Sequence, residues 1–170
     1  MLARRTHRAL IAAALAVLAV LAGSSLLGRG GGASGGAQVG RVERVVDGDT
    51  VIVRLAGRDE RVRYIGMDTP ESVKPGTPVQ CYAEAAAREN RRLIDGQRVR
   101  LVQDAESHDR YGRLLAYVYR ESDGLFVNAE LVRRGYARVL TIPPNVAHER
   151  QFVRLARRAR AAGRGLWSRC

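Results

Sequence analysis

Lysine is almost missing from this 170-residue chain: Lys74 stands alone, and every other base is arginine. Acids are missing from the start of the chain, where Arg4, Arg5, Arg8 and Arg29 precede residue 38 unopposed. Residues 38–170 hold 25 bases against 17 acids, so that stretch carries +8 of the formal +12. An arginine-dominated balance suits a polyanionic partner, because the guanidinium fork pairs phosphate through two hydrogen bonds. The plainer alternative is a solvated basic face in a chain that favours arginine everywhere. Cysteine occurs twice (Cys81, Cys170) and histidine three times (His7, His108, His148). None of them sits at zinc-finger spacing, which argues against a thiolate or imidazole metal centre. In an oxidising compartment an even pair of cysteines favours one disulfide. It would tie the chain terminus to the start of the first long helix. Closing a loop of that length is worth roughly 4–5 kcal/mol in the chain-entropy description. There is no internal repeat.

The N-terminus has an organisation of its own. Arg4, Arg5 and Arg8 precede the apolar run ALIAAALAVLAVLAG, Ala9 to Gly23. That is the pattern of an export signal, with a cleavage context after Ala22. Read on through Leu26 and Leu27, the run is nearly long enough to span a bilayer, so an uncleaved anchor is the alternative. No cysteine follows it closely, which argues against a lipidated N-terminus. Residues 1–27 are therefore assigned as export signal or anchor, and 28–38 as a Gly/Ser-rich linker. Residues 39–170 are assigned as the folded domain, expected outside the cytoplasm and acting as a monomer.

Strand-like runs fall at about 41–46, 50–55, 61–66, 98–103 and 114–119. Asp47-Gly48 joins the first pair, and Ala56-Gly57-Arg58-Asp59 joins the second and third. A helix is predicted over about 80–94, stopped by Gly96. Asn128 reads as the N-cap of a short helix that Gly135 ends, and a last helix is predicted over about 147–162. Three strands, a helix, two strands and late helices is the order of a five-stranded Greek-key barrel. A generic α+β sandwich has the same order.

VVDGDTVIV, residues 45–53, places two acids around a glycine inside a hydrophobic run. A turn needs one acid, and Asp47 and Asp49 could both be turn formers. MDTPE, residues 67–71, could likewise be a turn set by Pro70 and capped by Thr69. Taken together the two segments say more. Asp49 opens the second strand and Asp68 leaves the third, near the same end of the sheet. Carboxylates brought together repel unless something neutralises them. A hard divalent cation bound by carboxylate, carbonyl and water oxygens would do so, and oxygen-only ligands favour calcium or magnesium over zinc. Glu71 is near enough to act on a water. Arg63 is odd in register relative to Asp68, so strict alternation separates them unless the chain bends near Gly66. Arg113, after the Tyr111-Gly112 turn, could reach the same place. Guanidinium donors and a metal would stabilise the charge of a five-coordinate phosphoryl transition state. The expected arrangement has guanidinium groups 63 and 113 facing carboxylates 49 and 68 across a phosphate-sized gap.

VVDGDTV, VRYIGMDTPE, DRYGRLLAYVY, VNAELVRRGYARV, NVAHE and GLWS, in that order, resemble the staphylococcal nuclease family over about residues 41–169. The resemblance implies an OB-fold barrel of α+β class with about three helices. It also implies calcium-dependent hydrolysis of DNA and RNA to 3′-phosphorylated products. Carried over motif by motif, Asp49, Asp68 and the Thr69 main-chain carbonyl would bind calcium. Arg63 and Arg113 would hold the phosphate, Glu71 would be the general base, and Tyr111 would line the phosphate side. One departure stands out. Where well-studied members carry tyrosines before the last helix, this chain has VLTIPPNVAHE. Leu140, Thr141 and Ile142 cannot stack a base, an interaction worth about 1–3 kcal/mol each. Tyr82, Tyr136 and Trp167 read as packing residues.

Two other classes fit part of the sequence. A nucleic-acid-binding module that has lost turnover should have lost an acid or an arginine of this set, and all five of Asp49, Arg63, Asp68, Glu71 and Arg113 are present. A structural envelope protein explains the N-terminus but not the acid–arginine set.

Overall fold

In β2 (Thr50–Leu55) Val51, Val53 and Leu55 are buried and Arg54 is exposed, the period-two pattern of a half-buried strand. β3 (Arg58–Tyr64) buries Val62 and Tyr64, β5 (Arg98–Val102) buries Val99 and Leu101, and β6 (Leu114–Arg120) buries Leu114, Ala116 and Val118. β1 (Gln38–Val45) departs from strict alternation. Its register against β2 slips between Val42 and Arg44, and this bulge turns both Val42 and Val45 inward. The computed structural model describes residues 36–72, 76 and 78–170. The segment assigned as export signal or anchor, linker residues 28–35 and Lys74 lie outside the described residues.

The five strands close into a barrel in the order β1-β2-β3-β6-β5. Every pairing is antiparallel except β3 with β6. Counting barrel strands only, the third pairs with the fifth and the fourth returns to the first. This is the Greek-key OB-fold expected from the element order. Between β3 and β5 the chain forms a two-residue β4 (Met67–Asp68) and helix α1 (Ala83–Ile94). After β6 come α2 (Val127–Arg134), a two-residue β7 (Arg138–Val139), α3 (Glu149–Ala161) and the short α4 (Leu166–Arg169).

Three local expectations are corrected. The β2–β3 connection is only Ala56-Gly57, with φ of 46° and 84°. This left-handed pair suits the twist of a two-residue hairpin, and it frees Arg58 and Asp59 to join the ladder opposite Leu55 and Arg54. Helix α1 starts at Ala83 rather than about 80, because Tyr82 takes a left-handed φ of 71° and its ring stacks on Tyr136 at 5.4 Å. Asn128 is no N-cap. It lies inside α2, fully buried, where its Oδ1 accepts from Val118 N at 2.9 Å and its Nδ2 donates to Ile65 O at 3.0 Å. A buried backbone group without a partner is costly, and here a side-chain amide supplies what the barrel seam lacks.

Gly66 is where β3 leaves the barrel, at φ +82°. A Cβ built there would lie 2.3 Å from Cε2 of Phe152, the fully buried aromatic of α3. Gly66→Ala therefore combines left-handed strain with overpacking. It should destabilise the fold by about 3 kcal/mol, read as a lower denaturant midpoint at unchanged slope.

Candidate active site

The turn at Gly66 decides the site. It redirects the chain so that Met67 pairs with Val139 and Asp68 with Arg138, while Leu140 N donates to Gly66 O at 3.2 Å. Asp68 is thereby carried back over β3 to Arg63, which strict strand alternation would have kept apart. Arg63 Nη2 donates to Asp68 Oδ1 at 2.7 Å, and Nη1 reaches Asp49 Oδ2 at 2.8 Å and Met67 O at 3.2 Å. So the guanidinium does not face the two carboxylates across a gap; it joins them directly.

Asp49 is held from several directions. Its Oδ2 also accepts from Thr69 N at 2.8 Å and Thr69 Oγ1 at 2.9 Å, and its Oδ1 accepts only a longer 3.1 Å bond from Thr50 Oγ1. Thr69 packs so closely on the 47–49 turn that a Cβ on Gly48 would lie 2.7 Å from it. Gly48 is required for space. A buried relay fixes the turn from behind: Tyr64 Oη donates to Asn90 Oδ1 at 3.0 Å, and Asn90 Nδ2 donates to Asp47 O at 3.0 Å.

Arg113 enters at the head of β6. Asp109 accepts from the backbone N of Tyr111 and of Arg113, each at 2.9 Å, and from Arg113 Nε at 2.6 Å. Burial works against the charge on Asp109, but these hydrogen bonds outweigh it and hold the carboxyl below its usual range. A pocket of about 220 Å³ is lined by Asp47, Asp49, Arg63, Asp68, Glu71 and Arg113, with Thr50, Thr69 and Pro70 completing it. Six of the seven residues singled out from the sequence thus meet in one place. The seventh, Tyr111, lies next door. It is exposed, its ring centroid 5.5 Å from the Arg113 guanidinium, and it lines a 440 Å³ groove that shares Arg63 and Arg113 with the pocket. Leu115, Leu140 and Ile142 form part of the groove's aliphatic wall.

Two residues escaped the sequence reading. Asp47 looked like a turn former, yet it is buried in the pocket and its Oδ1 accepts from Asp49 N at 2.9 Å. Burial and the neighbouring Asp49 charge push its carboxyl up to about 7. Asp109 was overlooked although the D-R-Y-G order is a turn signal with the acid free to cap it. Asp68 is also raised: burial lifts it, Arg63 pulls it down, and the charges of Asp49 and Glu71 lift it again. Burial and the two neighbouring charges together outweigh the one guanidinium.

A closed Greek-key barrel carrying such an acid–arginine pocket on its rim is an OB-fold protein equipped to grip a phosphate. The comparisons make the assignment specific. The family described as Staphylococcal nuclease homologue matches residues 61–169. The chain is 45% identical over 128 residues to the thermonuclease of Staphylococcus intermedius, covering 75% of each. It is 40% identical over 131 residues to the thermonuclease of Staphylococcus hyicus, covering 77% of this chain and 76% of that one. The endonuclease YncB of Bacillus subtilis (strain 168) is 38% identical over 130 residues, covering 75% of this chain and 61% of that one. The chain belongs to the staphylococcal nuclease family.

Proposed function

We propose that this protein is a calcium-dependent endonuclease that cleaves DNA and RNA and leaves 3′-phosphorylated ends. Membership of the family makes it a nuclease and a hydrolase. The observation that carries the finer reading is the single guanidinium of Arg63 bonded to both Asp49 and Asp68, in a pocket that Glu71 and Arg113 also line.

In this reading Arg63 and Arg113 grip the non-bridging oxygens of the scissile phosphate. Their fixed donors oppose the charge that builds as phosphorus becomes five-coordinate. Glu71 accepts a proton from the attacking water as its oxygen bonds to phosphorus. The bond from phosphorus to the 5′-oxygen breaks, that oxygen takes a proton from solvent to leave as a hydroxyl, and the phosphate stays on the 3′ side. Asp109 keeps Arg113 in position.

The donor set fits a calcium ion. Among the described residues no group of three or more His, Cys, Asp or Glu side chains is arranged to enclose a metal. A site built from two carboxylates, Asp49 and Asp68, with the Thr69 carbonyl and waters, is nonetheless consistent with the all-oxygen preference of that ion. Burial first, and the Asp49 charge after it, push the carboxyls of Asp47 and Asp68 up, and a bound cation would oppose both shifts. Calcium, when bound, supplies positive charge to the carboxylates and to a phosphate oxygen.

The disulfide between Cys81 and Cys170 supports an oxidising location, and with it export of a monomeric enzyme through residues 1–27. No helix among the described residues is long and apolar enough to cross a membrane. The alternative of an anchored enzyme with its domain outside therefore rests on segment 9–27, which lies outside them.

The deciding assay incubates the protein with single-stranded DNA and with RNA, in calcium or in excess chelator, and identifies the ends. Cleavage to 3′-phosphates in calcium and none in chelator is expected. Full activity in chelator, or 5′-phosphate ends, overturns the reading. A thermal melt adds an independent readout. Asp47 titrates near 7 in the folded protein and near 3.8 in the unfolded chain, so the folded state holds the extra proton between those values. Its contribution to metal-free stability therefore falls as pH rises from about 4 to about 7. Calcium should raise the melting temperature more at pH 8 than at pH 5.

A further inference from the structure

Glu71 and Gln80 are nine positions apart, yet they clamp each other: Glu71 N donates to Gln80 Oε1 at 2.9 Å, and Gln80 N donates to Glu71 O at 2.9 Å. The next residue, Cys81, is bonded to Cys170, with the two Cα atoms 5.9 Å apart. The far end of that bond stands on a firm post. Leu166 of α4 is buried and its N donates to Gly135 O at 2.9 Å, at the C-cap of α2. The two backbones approach so closely there that a Cβ on Gly165 would lie 2.3 Å from Gly135 O. A connected path thus runs from the barrel-packed α2 through α4 and the disulfide to Gln80, and from Gln80 to Glu71.

We infer that Gln80 is a positioning residue for Glu71 and that the Cys81–Cys170 bond holds Gln80 in place, so that turnover responds to the thiol–disulfide state of the chain. This rests on the reading of Glu71 as the proton acceptor. Arg63 and Arg113, which hold the substrate, stand on β3 and at the head of β6, and neither lies on the path through the disulfide. Loss of the bond should therefore slow the chemical step without weakening binding. Both cysteines are exposed, and a surface pocket of about 370 Å³ lined by Gln80, Tyr82 and Arg169 opens beside them. A small dithiol can reach the bond. Its thiolate attacks one cysteine sulfur, and its second thiol then displaces the mixed disulfide. The products are two protein thiols and the oxidised, cyclised dithiol.

The test measures kcat and KM of the full chain on a single-stranded oligonucleotide, before and after reduction with dithiothreitol, with far-UV circular dichroism confirming the fold. The parent protein, Gln80→Ala and Glu71→Gln are compared. Reduction of the parent should lower kcat about tenfold at unchanged KM, and Gln80→Ala with the disulfide intact should do the same. In Glu71→Gln, where the proton acceptor is already gone, reduction should leave the residual kcat unchanged. The inference is overturned if either reduction or Gln80→Ala leaves kcat within about twofold of the parent, or if reduction slows Glu71→Gln as much as the parent. Should reduction melt the chain, Gln80→Ala in the oxidised protein decides alone. If Glu71→Gln keeps the parental kcat, the reading of Glu71 fails and the inference falls with it. A slow Glu71→Gln with a redox-insensitive parent sinks the inference alone.

Discussion

Arg63→Ala should lower turnover by about 10³-fold or more and destabilise the metal-free protein by about 3 kcal/mol. The two effects have one origin. The side chains of Arg63 and Asp49 are 12% and 8% exposed, and the guanidinium also takes Asp68 Oδ1. Removing it leaves a buried carboxylate held only by neutral donors, beside Asp47 and Asp68, which burial and the Asp49 charge already raise. In the proposed mechanism it also removes a fixed donor from the transition-state phosphate. Arg63→Lys separates charge from geometry. An ammonium keeps the charge but cannot bond both carboxylates and the Met67 carbonyl as a planar fork does. It should recover much of the stability, by denaturant unfolding in chelator, while kcat stays at least about 100-fold low. A lysine variant with near-parental turnover would show that the fork contributes nothing to the reaction.

Glu71→Gln should lower kcat by about 10³-fold while leaving the melting temperature and substrate affinity nearly unchanged. Glutamine has the shape of glutamate, so the backbone clamp to Gln80 survives, but the amide cannot take a proton from water. Glu71 is partly exposed at the pocket's edge, where its charge adds to the burial that raises Asp68. That position is why stability should hardly move. The comparison with Arg63→Ala is informative: one substitution should harm fold and chemistry together, the other chemistry alone. Single-turnover rates with an oligonucleotide, measured beside binding by anisotropy, distinguish these outcomes. A Glu71→Gln enzyme at parental speed would assign the proton transfer elsewhere.

The barrel was readable because burial on one face imposes a period of two. Val51, Val53 and Leu55, then Val62 and Tyr64, then Val99 and Leu101, announce their strands without any neighbour being known. The errors cluster where a local preference was overruled by something distant. Asn128 has the chemistry of a cap and was used instead to satisfy Val118 and Ile65. Arg58 and Asp59 look like turn residues and were taken into the ladder because a tighter two-residue turn fits the twist. The pairs β4–β7 are too short to leave a pattern, though they set where Asp68 sits.

The order of elements, the identity of the acids and arginines, and the cysteine pair are properties of the chain as written. With the motifs that resemble the staphylococcal nuclease family, they were enough to name the fold class, the family and six of the residues that meet in the pocket. The direct grip of Arg63 on both carboxylates, the burial of Asp47 and the clamp between Glu71 and Gln80 came only with the folded molecule. A side chain's type determines what it can bond, whereas its partners depend on where the backbone turns. Here that turn is Gly66, held against Phe152 from a helix more than eighty residues away.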